Sequence, residues 1–197
     1  AGAAGGPLRA QKLFWFGAME YRNQDGAIPV GARDVASRTI RQAFAAAPLD
    51  DLLASARIDS RPNAIDGISI RYAAQRADDT NASTLDRSIG SASQRQASQN
   101  RYQSVVGAWT RIWSPTLVNV TTASYSTFRN VINPLAAGPQ LTYPSIQDGT
   151  SFRVPQGTTQ KRFQLANSTT LVRGAHTLRM GGEWQSVHAR FDLGVFQ

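Results

Sequence analysis

Long stretches of this chain alternate apolar and polar residues with a period of two, which is the period of a β-strand. The clearest example follows a short polar turn, Arg173–His176, whose single glycine suits the positive φ of a tight hairpin turn. After this turn, Leu178, Met180 and Trp184 fall on one side of the predicted strand, whereas the residues between them are mostly charged or polar. The pattern predicts an all-β fold of antiparallel strands.

About seven segments of the chain carry this pattern at the length of a strand. Most of them are bounded by glycine, proline, asparagine, aspartate or serine, the residues that favour turns. The predicted strands are Lys12–Arg22, Leu53–Arg61, Ile68–Gln75, Asn100–Trp113, Leu117–Phe128, Thr159–Val172 and Thr177–Phe191.

The connections between these strands fall into two classes. Short turns are predicted at Arg61–Gly67, Ser114–Thr116 and Arg173–His176, and long polar segments at residues 23–51, 76–99 and 130–157. Short and long connections alternate along the chain, so the short ones gather at one end of the sheet and the long ones at the other. This asymmetry is typical of an antiparallel transmembrane β-barrel with short periplasmic turns and long extracellular loops.

Two further segments are predicted to lie outside the strands. The glycines and proline of Gly5–Pro7 predict a turn or the end of a strand. In residues 32–47 a few apolar side chains fall roughly on one side of a helix, and Pro48 follows, which predicts a helical turn inside a long loop.

One side of the predicted strands carries large apolar and aromatic residues. In a membrane barrel such residues face lipid, and the aromatic ones gather at the two interfaces. The pattern also fits strands buried in a soluble β-sandwich, and the aromatic residues also fit a platform that stacks against a ligand. We predict that the following residues face lipid: Leu13, Trp15, Met19, Tyr21, Trp109, Trp113, Tyr125, Leu178, Met180 and Trp184.

The composition adds a strong positive charge. The chain of 197 residues has a formal net charge of +8 and no cysteine. Such a charge raises nucleic acid as a partner, but the arginines are scattered among acids and amides and form no nucleic-acid motif. We favour a wet barrel lumen and loops near anionic lipopolysaccharide, with no nucleic acid bound. A soluble basic β domain that binds nucleic acid or polysaccharide is the alternative.

Candidate catalytic and metal-binding residues are few. The absence of cysteine excludes disulfides and thiolate metal sites within the chain. His176 lies in a predicted turn and His188 late in the last strand, so we do not expect them to converge on one metal. Asp50-Asp51 has no third ligand nearby, which favours solvated acids or a helix cap over a metal pair. We predict no catalysis, no metal and no cofactor.

A set of short motifs, taken in order, resembles the start of the barrel in TonB-dependent outer-membrane receptors of the Oar-like type. In that family these receptors carry a carboxypeptidase-regulatory-like domain. Each motif is short, but the ordered set covers nearly the whole chain. The motifs are Gly5–Leu8, Lys12–Gly17, Glu20-Tyr21, Ala56–Asp59, Ser114–Asn119 and Arg173–Trp184.

The resemblance implies a large barrel, commonly of about 22 strands, whose lumen is plugged by an N-terminal domain. Residues 1–197 are then one partial barrel domain with exposed edges at Lys12 and Phe191, and the plug and the remaining strands lie outside it.

The resemblance also implies a location in the outer membrane of a Gram-negative-type bacterium. The intact protein is expected to take up a siderophore, vitamin, glycan or peptide, with energy from a TonB complex that acts on the plug. An Oar-like role in adhesion or protein export is the alternative.

Overall fold

The computed structural model describes residues 1–34, 36–82, 90–151 and 153–194. These residues form twelve strands and one 3₁₀ turn, Ala92–Gln94. The strands are β1 (Gly2–Arg9), β2 (Leu13–Gln24), β3 (Ala27–Arg33), β4 (Ile40–Ala46), β5 (Leu49–Ser60), β6 (Asp66–Ala82), β7 (Arg95–Ser114), β8 (Leu117–Pro134), β9 (Gln140–Thr142), β10 (Gln147–Gly149), β11 (Gln156–Arg173) and β12 (His176–Leu193).

The main sheet of the described residues has eight strands in the order β1-β2-β5-β6-β7-β8-β11-β12. Every neighbouring pair is antiparallel, and each strand pairs with the next main-sheet strand along the chain. The sheet is open, because β1 and β12 each pair with one neighbour and not with each other. This arrangement confirms the predicted all-β antiparallel fold.

Short turns join the strands at one end of the main sheet. The turn between β11 and β12 consists of Gly174 and Ala175, and Gly174 has a φ of +60°. A positive φ at the first of two central residues is the requirement of a type II′ hairpin turn, which explains the glycine. The other three short turns of the described sheet lie at residues 10–12, 61–65 and 115–116.

The long connections lie at the opposite end of the sheet. Two of them contain hairpins of their own: β3 pairs with β4, and β9 pairs with β10. Of the connection between β6 and β7, the residues that the structure describes end in the 3₁₀ turn Ala92–Gln94. The predicted separation of short turns from long loops is therefore confirmed.

Several predictions at the level of single elements are wrong. Gly5–Pro7 is neither a turn nor a strand end but the middle of β1, which pairs with β2. The edge of the sheet is therefore β1 and not the segment at Lys12. Residues 32–47 form no helical turn in their described part; they belong to the β3–β4 hairpin, and Val35 lies outside the described residues.

Predicted strand lengths were too short at the long-loop end. β6 continues to Ala82 and β7 begins at Arg95, so most of the predicted loop at residues 76–99 is strand in the part that is described. β8 likewise continues to Pro134. The main sheet has eight strands within the described residues, against about seven predicted, because β1 was missed.

The main sheet is a single layer. In the part of the chain that the structure describes, the buried apolar residues are limited to Val30, Ala77 and Val154, and many of the larger apolar side chains of the sheet are exposed. A soluble sandwich would cover one face with a second sheet about 10 Å away. No helix among the described residues combines the length and hydropathy that a membrane span needs.

Candidate membrane-facing surface

The two faces of the main sheet differ in chemistry. Residues that pair directly across antiparallel strands point to the same face, so the register assigns each side chain to a face. Met19 pairs with Ala54, and Ala54 pairs with Ala74, which places all three on one face. We call the face that contains Met19 the apolar face, and the opposite one the polar face.

All the residues predicted to face lipid lie together on the apolar face. The register connects Leu13, Trp15 and Tyr21 on β2 with Trp109 on β7, Tyr125 on β8, and Leu178, Met180 and Trp184 on β12. Trp113 belongs to the same face, because the Arg111 guanidinium lies 4.3 Å from its ring centroid and 5.8 Å from that of Trp109. That these side chains contact lipid stays a prediction.

The polar face carries mainly serine, threonine, asparagine, glutamine and charged residues. Small polar residues of this face are among the most buried of the sheet; Ser98 and Ser104 are 6% and 7% exposed. Polar contacts cross the strands on this face, as between Gln164 Nε2 and the Glu183 carboxylate at 2.8 Å. Phe14 and Phe16 are exceptions to the pattern, since the register places them on the polar face.

The apolar region crosses the sheet obliquely. One row of directly paired residues starts at Tyr21, the last large apolar residue of β2, and on β6 it already meets Arg76. The complete row is Tyr21, Leu52, Arg76, Arg101, Arg129, Thr159 and Arg190. On β12 the last large apolar residue of this face is Trp184, roughly six residues short of Arg190. From β2 to β12 the boundary therefore recedes by about six residues over six steps between strands, an average of about one residue for each strand.

This slope converts into an angle. A residue advances about 3.3 Å along a strand, and neighbouring strands lie about 4.8 Å apart, so the boundary crosses the sheet at about 35° to the hydrogen-bonding direction. A boundary set by a flat slab has this slope when the strands tilt by the same angle from the slab normal. Strands of membrane barrels tilt by about 35–45°. The oblique boundary therefore fits a membrane and is not expected for a local protein-binding patch.

Aromatic residues with satisfied polar atoms mark both margins of the apolar region. At the short-turn end, Trp109 Nε1 donates to the Asp66 carboxylate at 2.9 Å. At the long-loop end, the Tyr21 hydroxyl donates to the Asp50 carboxylate at 2.7 Å. Tyrosine and tryptophan suit an interface between lipid and water because one part of the side chain is apolar and the other is polar.

The residues considered for metal binding are dispersed. Asp50 and Asp51 are consecutive on β5 and point to opposite faces, so they form neither a metal pair nor a helix cap. Asp51 accepts a hydrogen bond from Gln75 Nε2 at 2.9 Å. His176 begins β12 and His188 lies twelve residues further along it, about 40 Å away. Within the described ranges, no group of three or more histidine, aspartate or glutamate residues could hold a metal ion.

The aromatic residues do not form one stacking platform. The ring pair recorded among the described residues joins Phe163 and Trp184, with ring centroids 5.7 Å apart. The other tryptophans lie on β2 and β7, spread along the apolar face. The arrangement suits a girdle better than a single ligand site.

The long loops are linked to one another at their end of the sheet. The Gly31 N–H of β3 donates to the Gly90 carbonyl at 3.0 Å, and the Ser91 N–H donates to the Gln147 carbonyl of β10 at 2.9 Å. The Arg95 guanidinium donates to the Ala46 carbonyl at 3.0 Å. We call the described residues of these three segments, 27–34 with 36–46, 90–95 and 140–149, the outer-loop cluster. No periodic signal in the sequence indicated these contacts.

Asp148 is the acidic centre of the outer-loop cluster. Its carboxylate accepts hydrogen bonds from the Ser91 hydroxyl at 2.5 Å and the Ser93 hydroxyl at 2.6 Å. These bonds, first that of Ser91 and then that of Ser93, lower the pKa of the Asp148 carboxyl below its ordinary value of 3.8. Gln94 Nε2 donates to the Gly149 carbonyl at 2.5 Å and fastens the same hairpin.

Comparison with known proteins identifies the family. The family model described as "Outer membrane beta barrel domain" matches residues 42–195. The match covers well over half of the chain, so the chain belongs to this family and is part of an outer-membrane protein of a Gram-negative-type bacterium. No curated protein and no solved structure matches the chain.

We predict that Met180→Arg destabilises the intact protein in lipid vesicles by about 2–4 kcal/mol, because it places a charge near the middle of the apolar region. Gln185→Arg adds the same charge to the polar face of the same strand, and should change stability by about 0.5 kcal/mol or less. Chemical unfolding in vesicles measures both. If Glu183→Leu on the polar face proves more damaging than Met180→Arg, the two faces are assigned the wrong way round.

The slope of the apolar boundary predicts a strand tilt of about 35° from the membrane normal. Polarised infrared spectroscopy of the amide bands, on the intact protein in oriented bilayers, measures this angle. Strands that stand parallel to the normal would show that the boundary does not follow the membrane surface.

The outer-loop cluster should loosen in acid. Because the folded-state pKa of Asp148 is lowered, its carboxylate stabilises the cluster above pH 3.8, and this contribution is lost as the pH falls through the lowered folded-state value. Asp148→Ala should bring the same loss at neutral pH, seen as several-fold faster proteolysis of residues 135–155 on intact cells. Asp25→Ala, an aspartate outside the cluster, is the control. Unchanged cleavage of Asp148→Ala at neutral pH would contradict the role given to this carboxylate.

Proposed function

We propose that this outer-membrane chain forms part of the wall of a TonB-dependent receptor that takes up a substrate. The observation that carries the proposal is the open, single-layer sheet, whose one face fits lipid and whose other face fits a wet lumen. Further strands would pair with the free edges of β1 and β12 and close the barrel, and the resemblance to TonB-dependent receptors implies about 22 strands in all. A wide barrel has room for a plug, as outer-membrane transporters of about 22 strands do.

The ordered motifs support a TonB-dependent receptor more specifically than the geometry of the barrel alone does. The motif Lys12–Gly17 lies on β2, and Ala56–Asp59 lies on the adjacent β5. Ser114–Asn119 spans the turn from β7 to β8, and Arg173–Trp184 spans the turn into β12. All four motifs lie at the short-turn end, which is periplasmic in barrels of this kind. The proposal includes no catalytic role and no cofactor.

The polar face supplies the surface that such a transporter needs. Its hydroxyl and amide groups can form hydrogen bonds to water, as the lining of a water-filled passage must. The outer-loop cluster lies at the extracellular end of the same strands, and its linked hairpins form an ordered surface for a first contact with substrate. The energy for uptake would come from the TonB complex acting on a plug.

Uptake assays on the intact protein in its native strain test this proposal. The probes are a ferric siderophore, cobalamin, an oligosaccharide and a peptide, each radiolabelled. We expect accumulation of at least one probe to be lost in a deletion strain, to return on complementation, and to be lost again in a strain without the TonB complex.

A second set of assays separates uptake from the Oar-like alternative. Surface adhesion and protein secretion are measured in the same strains. The proposal is wrong if deletion abolishes adhesion or secretion while accumulation of every probe is unchanged. Uptake that persists without the TonB complex would also contradict it.

A further inference from the structure

Basic side chains accumulate on the apolar face immediately beyond its apolar region. Three arginines, Arg76, Arg101 and Arg129, pair directly with one another across β6, β7 and β8. Lys161 on β11 pairs with Thr127 and is therefore diagonal to Arg129. Like charges directly opposite one another in a sheet are destabilising unless an anion lies between them.

The carboxylates of this face compensate only part of the charge. Asp78 accepts from Arg101 at 2.9 Å and from Arg76 at 3.1 Å, and Asp192 forms an ion pair with Arg190 at 2.9 Å. Arg129 and Lys161 form none of the ion pairs of the described part of the chain, and both are exposed. We call these two residues the basic pair.

An apolar surface lies next to the basic pair on the side of the short turns. Phe163, two residues from Lys161, pairs directly with Tyr125, and its ring contacts Trp184 at 5.7 Å between centroids. These three side chains are 39%, 45% and 59% exposed, respectively. A cationic pair above an exposed aromatic surface matches an amphiphile with an anionic head and an apolar tail.

We propose that the basic pair and the adjoining aromatic residues bind the phosphorylated headgroup and acyl chain of an outer-leaflet glycolipid. The long loops are extracellular in this family, so the basic pair lies at the level of the outer leaflet, where lipopolysaccharide carries phosphate groups. The guanidinium of Arg129 can form two parallel hydrogen bonds to one phosphate, and the Lys161 ammonium adds a second point of charge. The bound phosphate relieves the repulsion between Arg101 and Arg129. The inference requires the apolar face to contact lipid but not that the barrel transports a substrate.

Binding of bisphosphorylated lipid A to the intact purified protein tests the site. Labelled lipid A in detergent micelles is titrated against the native protein, the pair R129Q/K161Q and the control pair R71Q/R162Q. The control removes two exposed arginines from the polar face, one of them adjacent to Lys161 in β11. We expect R129Q/K161Q to weaken binding about 25-fold at low salt, about five-fold for each charge, and the control to change it less than about two-fold.

Three further arms make the result specific. R129K/K161R keeps both charges and should bind within about three-fold of the native protein, and circular dichroism confirms that each variant is folded. A large excess of inorganic phosphate should not displace lipid A, because the aromatic surface holds the acyl chain. Displacement by phosphate would show a site for the free anion and overturn the lipid assignment. Equal binding by R129Q/K161Q and the native protein, or equal loss in the control, would overturn the site itself.

The outcome is separable from that of the proposed function. Lipid A binding that depends on the basic pair, together with no TonB-dependent uptake, leaves the site standing and removes the transporter. TonB-dependent uptake, together with lipid A binding that R129Q/K161Q leaves unchanged, supports the transporter and removes the lipid site.

Discussion

The apolar face of the sheet has no protein partner, and the rest of the structure depends on what covers it. Large side chains such as Met180 and Trp184 are more than half exposed. Leaving such a side chain in water costs about 1.5–3 kcal/mol relative to burying it. A sheet that repeats this over eight strands needs an apolar solvent, and a bilayer supplies one. Membership of the outer-membrane β-barrel family agrees with that requirement.

The same constraint explains the backbone and the margins. No water is available inside a bilayer, so every backbone N–H and C=O must bond to a neighbouring strand, and the register is nearly continuous from β2 to β12. Where the apolar region ends, aromatic residues with polar partners begin, as with Trp109 on Asp66 and Tyr21 on Asp50. Beyond the outer margin the strands continue as polar ladders that hold the outer-loop cluster away from the membrane.

The sequence predicts a strand of the sheet where apolar and polar side chains alternate, and it fails to predict one where they do not. β2 and β12 were predictable because large apolar residues recur at every second position. β1 was missed because Gly2–Pro7 has almost no side chains to alternate, and the strand exists through its pairing with β2. The sequence predicts loops for the outer parts of β6, β7 and β8 because large apolar residues no longer alternate with polar ones there: β6 and β7 carry polar residues and alanine, and Val131 and Ile132 of β8 are consecutive. There, contacts such as that of Asn130 Nδ2 with Asn100 Oδ1 at 2.8 Å replace the hydrophobic signal.

The periodicity of the sequence does not predict the structure of the loops or the position of the basic pair, for a different reason. In residues 32–47 the prediction of a helical turn rests on a few apolar residues at helical spacing, and the pairing of β3 with β4 overrides this weak signal. Arg129 and Lys161 are unremarkable in the sequence; they meet only because the register of β8 and β11 places them diagonally. The predicted lipid-facing residues lie together on one face because alternation along a strand fixes the face of each residue. A register shift of two residues leaves that face unchanged.

A cysteine scan along β11 tests the central claim most directly, since the chain has no cysteine of its own. Residues 162–167 are replaced one at a time in the intact protein, labelled with a nitroxide and studied in bilayers by electron paramagnetic resonance. Labels at Phe163, Leu165 and Asn167 should collide preferentially with oxygen, which dissolves in lipid. Labels at Arg162, Gln164 and Ala166 should not, and should respond more to a water-soluble nickel chelate. Equal accessibility along the strand, or the opposite phase, would show that the apolar face does not contact lipid.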